Sequence, residues 1–110
     1  GGTPSRNVAE YWHNGNIPWV GSTVCKNQCI NRSKEIITDL GLQFSSAKIF
    51  KKGSTLIALV GATIGKTAFL DFETTTNQNI AGLYPKDLKL LNPKYLFLIS
   101  QLFLYFLINT

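Results

Sequence analysis

The sequence predicts a mixed α/β domain, a small and largely antiparallel sheet with flanking helices, and three observations carry that expectation. First, the apolar run Leu56-Ile57-Ala58-Leu59-Val60 is followed, after a glycine-bounded turn, by Lys66-Thr67-Ala68-Phe69-Leu70. Second, the turns at Lys52-Gly53 and Gly61–Gly65 are short, and short turns join antiparallel neighbours because parallel strands need crossovers of a dozen residues or more. Third, the stretch from Tyr95 to Ile108 is apolar except for Ser100 and Gln101, as a covered helix would be.

Taken in order, residues 1–18 form an irregular N-terminal segment of Gly, Pro, Asn and aromatic residues, in which Tyr11 and Trp12, with Trp19 just beyond, serve as packing anchors. Residues 21–45 are polar and mixed, with a short helical turn between Ser33 and Ser45. Residues 47–50 form a short strand and Lys51-Lys52-Gly53-Ser54 a turn. The run from Leu56 to Val60 suits a strand covered on both faces, with Lys66–Leu70 as its hairpin partner. Asn79–Leu83 adds a further strand ended by Pro85. Asn92 can cap the last helix and Pro93 fits its first position.

With 110 residues, 45% of them hydrophobic, the chain is one globular domain and not a disordered segment. It begins Gly-Gly, contains no methionine and stops at Asn109-Thr110 directly after the apolar run. These edges lead us to expect a fragment or one module of a larger subunit. The apolar run of fourteen residues would span about 21 Å, short of a hydrocarbon core of about 30 Å. A membrane-associated small protein is therefore an alternative, not the leading expectation.

Eleven Lys and Arg face six Asp and Glu, a net charge of +5 that suits a nucleic-acid partner. Lys26, Arg32 and Lys34 share one polar segment, Lys48, Lys51 and Lys52 another, and Lys66 follows the glycine turn. Lys26, Lys34, Lys52 and Lys66 are the candidates for phosphate contact. Cys25 and Cys29 with the single His13 cannot assemble a four-ligand zinc site, so no metal is expected. Without a visible signal peptide, reduced thiols are the expectation. The few carboxylates are scattered without acid/base spacing, so no catalytic residue is expected either. His13 falls in a turn-rich, exposed stretch.

Gly61-Ala62-Thr63-Ile64-Gly65-Lys66-Thr67 invites a phosphate-loop interpretation. That loop needs four residues between its first glycine and the Gly-Lys pair, and here there are three. It must also open a helix, whereas Thr67-Ala68-Phe69-Leu70 reads as a strand. A P-loop-like nucleotide-binding enzyme thus remains only as an alternative beside a tight turn between strands.

A wider set of short motifs runs in order: Gly1-Gly2-Thr3-Pro4-Ser5, Tyr11-Trp12, Ile17-Pro18-Trp19-Val20, Ile37-Thr38 with Gly41-Leu42, Ser46-Ala47-Lys48 with Lys52-Gly53, Gly61–Gly65, Asn77-Gln78 with Ile80, and a Tyr95-Leu96 helix. This order resembles a target recognition domain of the DNA specificity subunit of type I restriction-modification systems, over residues 1 to about 100. The resemblance implies a DNA target recognition domain at 1–92 and, at 93–110, the truncated start of an apolar connecting helix leading toward a coiled coil. Such subunits carry two recognition domains, and this chain has length for one.

The resemblance further implies a non-catalytic, cytoplasmic protein with no cofactor of its own and no membrane partner. It would bind double-stranded DNA, methyltransferase (modification) subunits that use S-adenosylmethionine, and a restriction motor subunit that uses ATP and Mg. Recognition would divide between basic side chains on phosphates and Asn, Gln and Arg on base edges. Asn27, Gln28, Asn31 and Arg32 form the densest supply of base-reading groups. Thr74–Asn79 is a second candidate surface, including Asn77 and Gln78, although Asn and Thr are also ordinary turn formers.

Overall fold

Leu56 and Ala58 are fully buried on strand β5 (Thr55–Ala58), at the centre of the computed structural model, which describes residues 1–108. Their apolar side chains meet β6 (Thr67–Leu70), which pairs antiparallel with β5 so that Leu56 lies opposite Ala68. The turn between them closes where Gly65 donates its N–H to the Ala58 carbonyl at 2.9 Å. Gly61 and Gly65 take φ of 89° and 76°, a region where a side chain would be strained. The expected hairpin is present. The strand ends at Ala58, however, and Leu59 and Val60 lie about half exposed, so the apolar run outlasts the covered strand by two residues.

On the other edge of β5 runs β8 (Ile80–Leu83), antiparallel, with Ile57 opposite Ala81. Beyond β6 lies β2 (Gln28–Ile30), parallel, with Cys29 opposite Phe69. The strand order of this sheet is β2-β6-β5-β8.

A second four-stranded sheet is built from β1 (Ile17–Val20), β3 (Glu35–Ile37), β4 (Ile49–Phe50) and β7 (Thr74–Thr76). Its strand order is β3-β1-β7-β4. The expected single sheet is thus two sheets, and the 47–50 segment belongs to the second. Four of the six pairings are antiparallel; β1 with β7 and β2 with β6 are parallel. These two pairs unite segments far apart in the chain, Trp19 with Thr75 and Cys29 with Phe69, which no local turn announces.

Strand β1 shows why the layers hold together. Side chains alternate along a strand, and Trp19 enters a cluster with Ile37 and Ala47 while Val20 enters the main core with Cys25, Leu56, Ala68, Leu70 and Ile80. Trp12 meets Trp19 edge to face with ring centroids 5.3 Å apart, so the expected aromatic anchors do pack. The indole N–H of Trp19 donates to the Gly2 carbonyl at 3.0 Å and ties down the N-terminal segment.

Strand β7 is the least legible element. Thr74, Thr75 and Thr76 are fully buried, and their hydroxyls donate to the carbonyls of Thr75, Pro18 and Asn77. Buried threonines are tolerated here because each hydroxyl has a backbone acceptor.

Helix α1 (Asp39–Gln43) falls inside the expected window and starts where the Thr38 hydroxyl accepts the Gly41 N–H at 3.1 Å. Helix α2 (Pro93–Ile108) begins as its sequence suggests, with the Asn92 side-chain oxygen accepting the Lys94 N–H at 2.8 Å. It rests on β6 and β5, where Phe97 packs against Phe69 at 5.4 Å between centroids. Most of its apolar surface, from Leu98 through Leu102 and Phe103 to Phe106, remains exposed. No helix among the described residues is long and apolar enough to cross a membrane.

Candidate nucleic-acid interface

The chain leaves β1 at Val20, makes one 3₁₀ turn at Ser22–Val24, enters β2 at Gln28 and returns to β3 at Glu35. Because β1 and β2 belong to different sheets, this excursion leaves an open cleft of about 310 Å³ between them. Its walls carry Lys26, Gln28, Arg32 and Lys34, with Trp19 and Val20 among the apolar lining and Glu35 as the one carboxylate. Lys26, Gln28, Arg32 and Lys34 are all exposed, and the Gln28 amide is steadied by donating to the Val24 carbonyl at 3.2 Å. Four residues singled out in the sequence therefore face one cavity. Such an arrangement can neutralise phosphates and present amide and guanidinium donors to base edges.

The other candidates lie elsewhere. Asn27 adopts a left-handed backbone at φ 56°, and its side-chain oxygen accepts both the N–H and the hydroxyl of Thr67 at 2.9 and 3.1 Å. Its own N–H donates to the Thr67 carbonyl at 2.7 Å, so Asn27 knits the loop to β6. Asn31 is exposed but outside the cleft lining. In the second candidate stretch, Thr74–Thr76 are withdrawn into the core, so that part of it cannot serve as a surface. The side-chain oxygen of Asn77 accepts the Asn79 N–H at 3.0 Å, an Asx turn, and that of Gln78 accepts the Thr3 hydroxyl at 2.7 Å. Lys52 stands 3.7 Å from Asp71. Lys66 borders a separate cavity of about 230 Å³ with Asn27, Gly65 and Gln101.

The glycine turn is not built to hold a nucleotide. The N–H groups of Ile64, Gly65 and Lys66 donate to the carbonyls of Gly61, Ala58 and Thr63, within the hairpin. Thr67 then opens strand β6, where a phosphate loop would open a helix.

One contributor escaped the sequence. Arg6 reaches Glu35 through two hydrogen bonds, Nη1 to Oε2 at 2.5 Å and Nη2 to Oε1 at 3.3 Å. Its guanidinium carbon lies 3.9 Å from the centroid of the Trp12 ring and 5.1 Å from that of Trp19. The Glu35 hydrogen bond raises the Arg6 pKa above its already high value. Arg6 and Glu35 are 29 residues apart, and nothing local in the sequence announces their pairing.

Cys25 is fully buried and Cys29 exposed, both as free thiols. Burial pushes the Cys25 thiol up to about 11, opposed by a weaker hydrogen bond at the Ala58 backbone. Among the described residues, no three His, Cys, Asp or Glu side chains gather as a metal site.

The chain is thus a two-sheet α/β domain with an exposed cationic cleft and an apolar terminal helix, and comparison with known proteins gives its family. Residues 1–109 match the type I restriction modification DNA specificity domain, and the chain belongs to that family. It is 30% identical over 90 residues to the EcoR124I/EcoR124II specificity subunit of Escherichia coli and 37% identical over 90 residues to the MjaIX specificity subunit of Methanocaldococcus jannaschii. Each alignment takes in 79% of this chain, which spans only about a fifth of either relative. Among solved structures, the HsdS subunit from Thermoanaerobacter tengcongensis superposes with a TM-score of 0.51 at 19% identity, covering 91% of this chain and 25% of that one. A chain from a structure describing complex assembly and conformational transition of the type I R-M system gives 0.58 at 21% identity, covering 93% of this chain and 24% of that one. At these identities the likeness concerns the fold.

Proposed function

We propose that this domain reads one short half of a split sequence in double-stranded DNA and performs no chemistry itself. The observation that carries this reading is the convergence of Lys26, Gln28, Arg32 and Lys34 on one open cleft. Lys26 and Lys34 contact phosphates and fix register, contributing affinity without sequence information. Arg32 and Gln28 reach base edges, where Arg pairs bidentately with guanine and Gln with adenine.

In the assembly we infer, two modification subunits methylate adenine from S-adenosylmethionine at the site this domain selects. A restriction motor subunit uses ATP and Mg to translocate and cut. Cytoplasmic residence follows from that division of labour. The exposed apolar face of α2 is the continuation by which the domain joins the rest of the specificity subunit.

Methylation-site mapping in a complex reconstituted with the modification subunits tests the proposal. Arg32→Ala or Gln28→Ala changes the methylated half-site, each lost bidentate contact costing about 1–3 kcal/mol at one base position. Lys26→Ala and Lys34→Ala weaken binding evenly across sequences. If all four folded variants keep full affinity and an unchanged site, the cleft is not the reading surface.

A further inference from the structure

The cleft contains one group that works against DNA. Glu35 lines it beside Lys26, Arg32 and Lys34, and its side chain is 42% exposed. A bare carboxylate there would repel phosphate and cancel one of the three cations. It is not bare, because Arg6 engages both of its oxygens. Arg6 is itself held from outside the cleft, stacked over Trp12, whose indole N–H is anchored to the Ser5 carbonyl at 3.1 Å. Trp12 packs in turn on the buried Trp19, which lies opposite Glu35 in the β1–β3 register. The N-terminal segment and β3 thus bring a fixed guanidinium to the back of the one acidic residue that faces the cleft.

We propose that Arg6 is a positioning residue for DNA binding, masking the charge of Glu35 so that the cleft presents a uniformly positive wall to phosphate. This rests on the DNA-reading function proposed above. Arg6 acts through Glu35 and not by touching DNA, so its importance depends on whether the carboxylate is there. A purely structural role, fastening the N-terminal segment to the sheet, would not show that dependence.

The test is a double-mutant cycle on the full chain, with a pool of random-sequence DNA duplexes as probe and affinity followed against salt. Arg6→Ala is expected to weaken binding by roughly three- to tenfold near 0.1 M salt and to flatten the salt slope by about one charge. Glu35→Gln is expected to bind at least as tightly as the parent. Arg6→Ala/Glu35→Gln together should recover the parent affinity, and Arg6→Lys, which keeps the charge, should stay within about twofold of it. If Arg6→Ala does not fold, Arg6→Gln, which loses the charge and keeps a hydrogen-bond donor, carries the same two expectations alone and with Glu35→Gln. A structural role predicts the opposite pattern, in which Glu35→Gln weakens binding and lowers the melting temperature as Arg6→Ala does, without rescue. That pattern overturns the proposal. So does an unchanged affinity in every Arg6 and Glu35 variant while Lys26→Ala and Lys34→Ala lose binding, an outcome that leaves the DNA-reading function intact. If Lys26→Ala and Lys34→Ala also bind normally, the cleft reading fails and the masking role falls with it.

Discussion

At the scale of single residues, the loop that carries the candidate readers is fastened by one of their neighbours. Asn27 occupies a left-handed backbone and spends its side-chain oxygen on Thr67, while Gln28 beside it faces the cleft. Asn27→Ala should therefore lower stability by about 1–3 kcal/mol, because it leaves the partly buried donors of Thr67 unpaired and puts a less tolerant residue at positive φ. Gln28→Ala should change stability by less than about 0.5 kcal/mol, as exposed substitutions do. Denaturant midpoints of the two variants check the contrast; equal losses would contradict it. Cys25 offers a pH test. Its thiol is raised from 9.0 to about 11, so the folded state keeps a proton that the unfolded state has released. That contribution is full below pH 9 and is lost as pH rises through 11, about 2–3 kcal/mol in all. Chemical denaturation across that range should show the decline, and Cys25→Ala should flatten it. Native protein should meanwhile react with thiol reagents at exposed Cys29 first.

At the scale of elements, α2 combines a well-defined start with an uncovered side. The Asn92 cap and the Phe97–Phe69 contact anchor its first turns on β6, while Leu102, Phe103 and Phe106 are about 60% exposed. An apolar patch of that kind promotes association in water. The isolated chain should self-associate as concentration rises, and Leu102→Lys with Phe103→Lys should shift light scattering toward the monomer without altering circular dichroism. An unchanged mass distribution in that variant would place the adhesive surface elsewhere. The elements also differ in how far sequence exposed them. The β5–β6 hairpin was visible because its partners are joined by only eight residues, centred on the Gly61–Gly65 turn, and α2 because its cap and composition are local. Strands β2, β3 and β7 were not, since each is three residues long and draws its partners from distant segments.

At the scale of the whole molecule, a net charge of +5 is modest, and its placement matters more than its sum. Alone, the domain should bind duplex DNA near the non-specific range, about 10⁻⁴–10⁻⁶ M. The logarithm of its affinity should fall with the logarithm of salt at a slope of about −2 if Lys26 and Lys34 supply the phosphate neutralisation. Linked to a second recognition domain it should bind far more tightly, because the second half-site is engaged at high effective concentration. Titrations at several salt concentrations measure both, and salt-independent binding would contradict the phosphate contacts.

By itself the sequence determined the mixed α/β class, the central hairpin and the terminal helix, because each depends on local chemistry: turn residues, caps and periodicity. Clustered charge and amides also singled out ten candidate DNA-contacting residues, of which folding gathers Lys26, Gln28, Arg32 and Lys34 in one cleft. Tertiary structure alone decided that the sheet is two sheets, that Thr74–Thr76 form a buried strand and that Asn27 belongs to the scaffold. The same long-range folding brought Arg6 behind Glu35. The physical reason is common to the last three. A hydroxyl, an amide or a guanidinium looks like surface in a sequence, and it becomes structure only when folding delivers an acceptor or a ring from a segment tens of residues away.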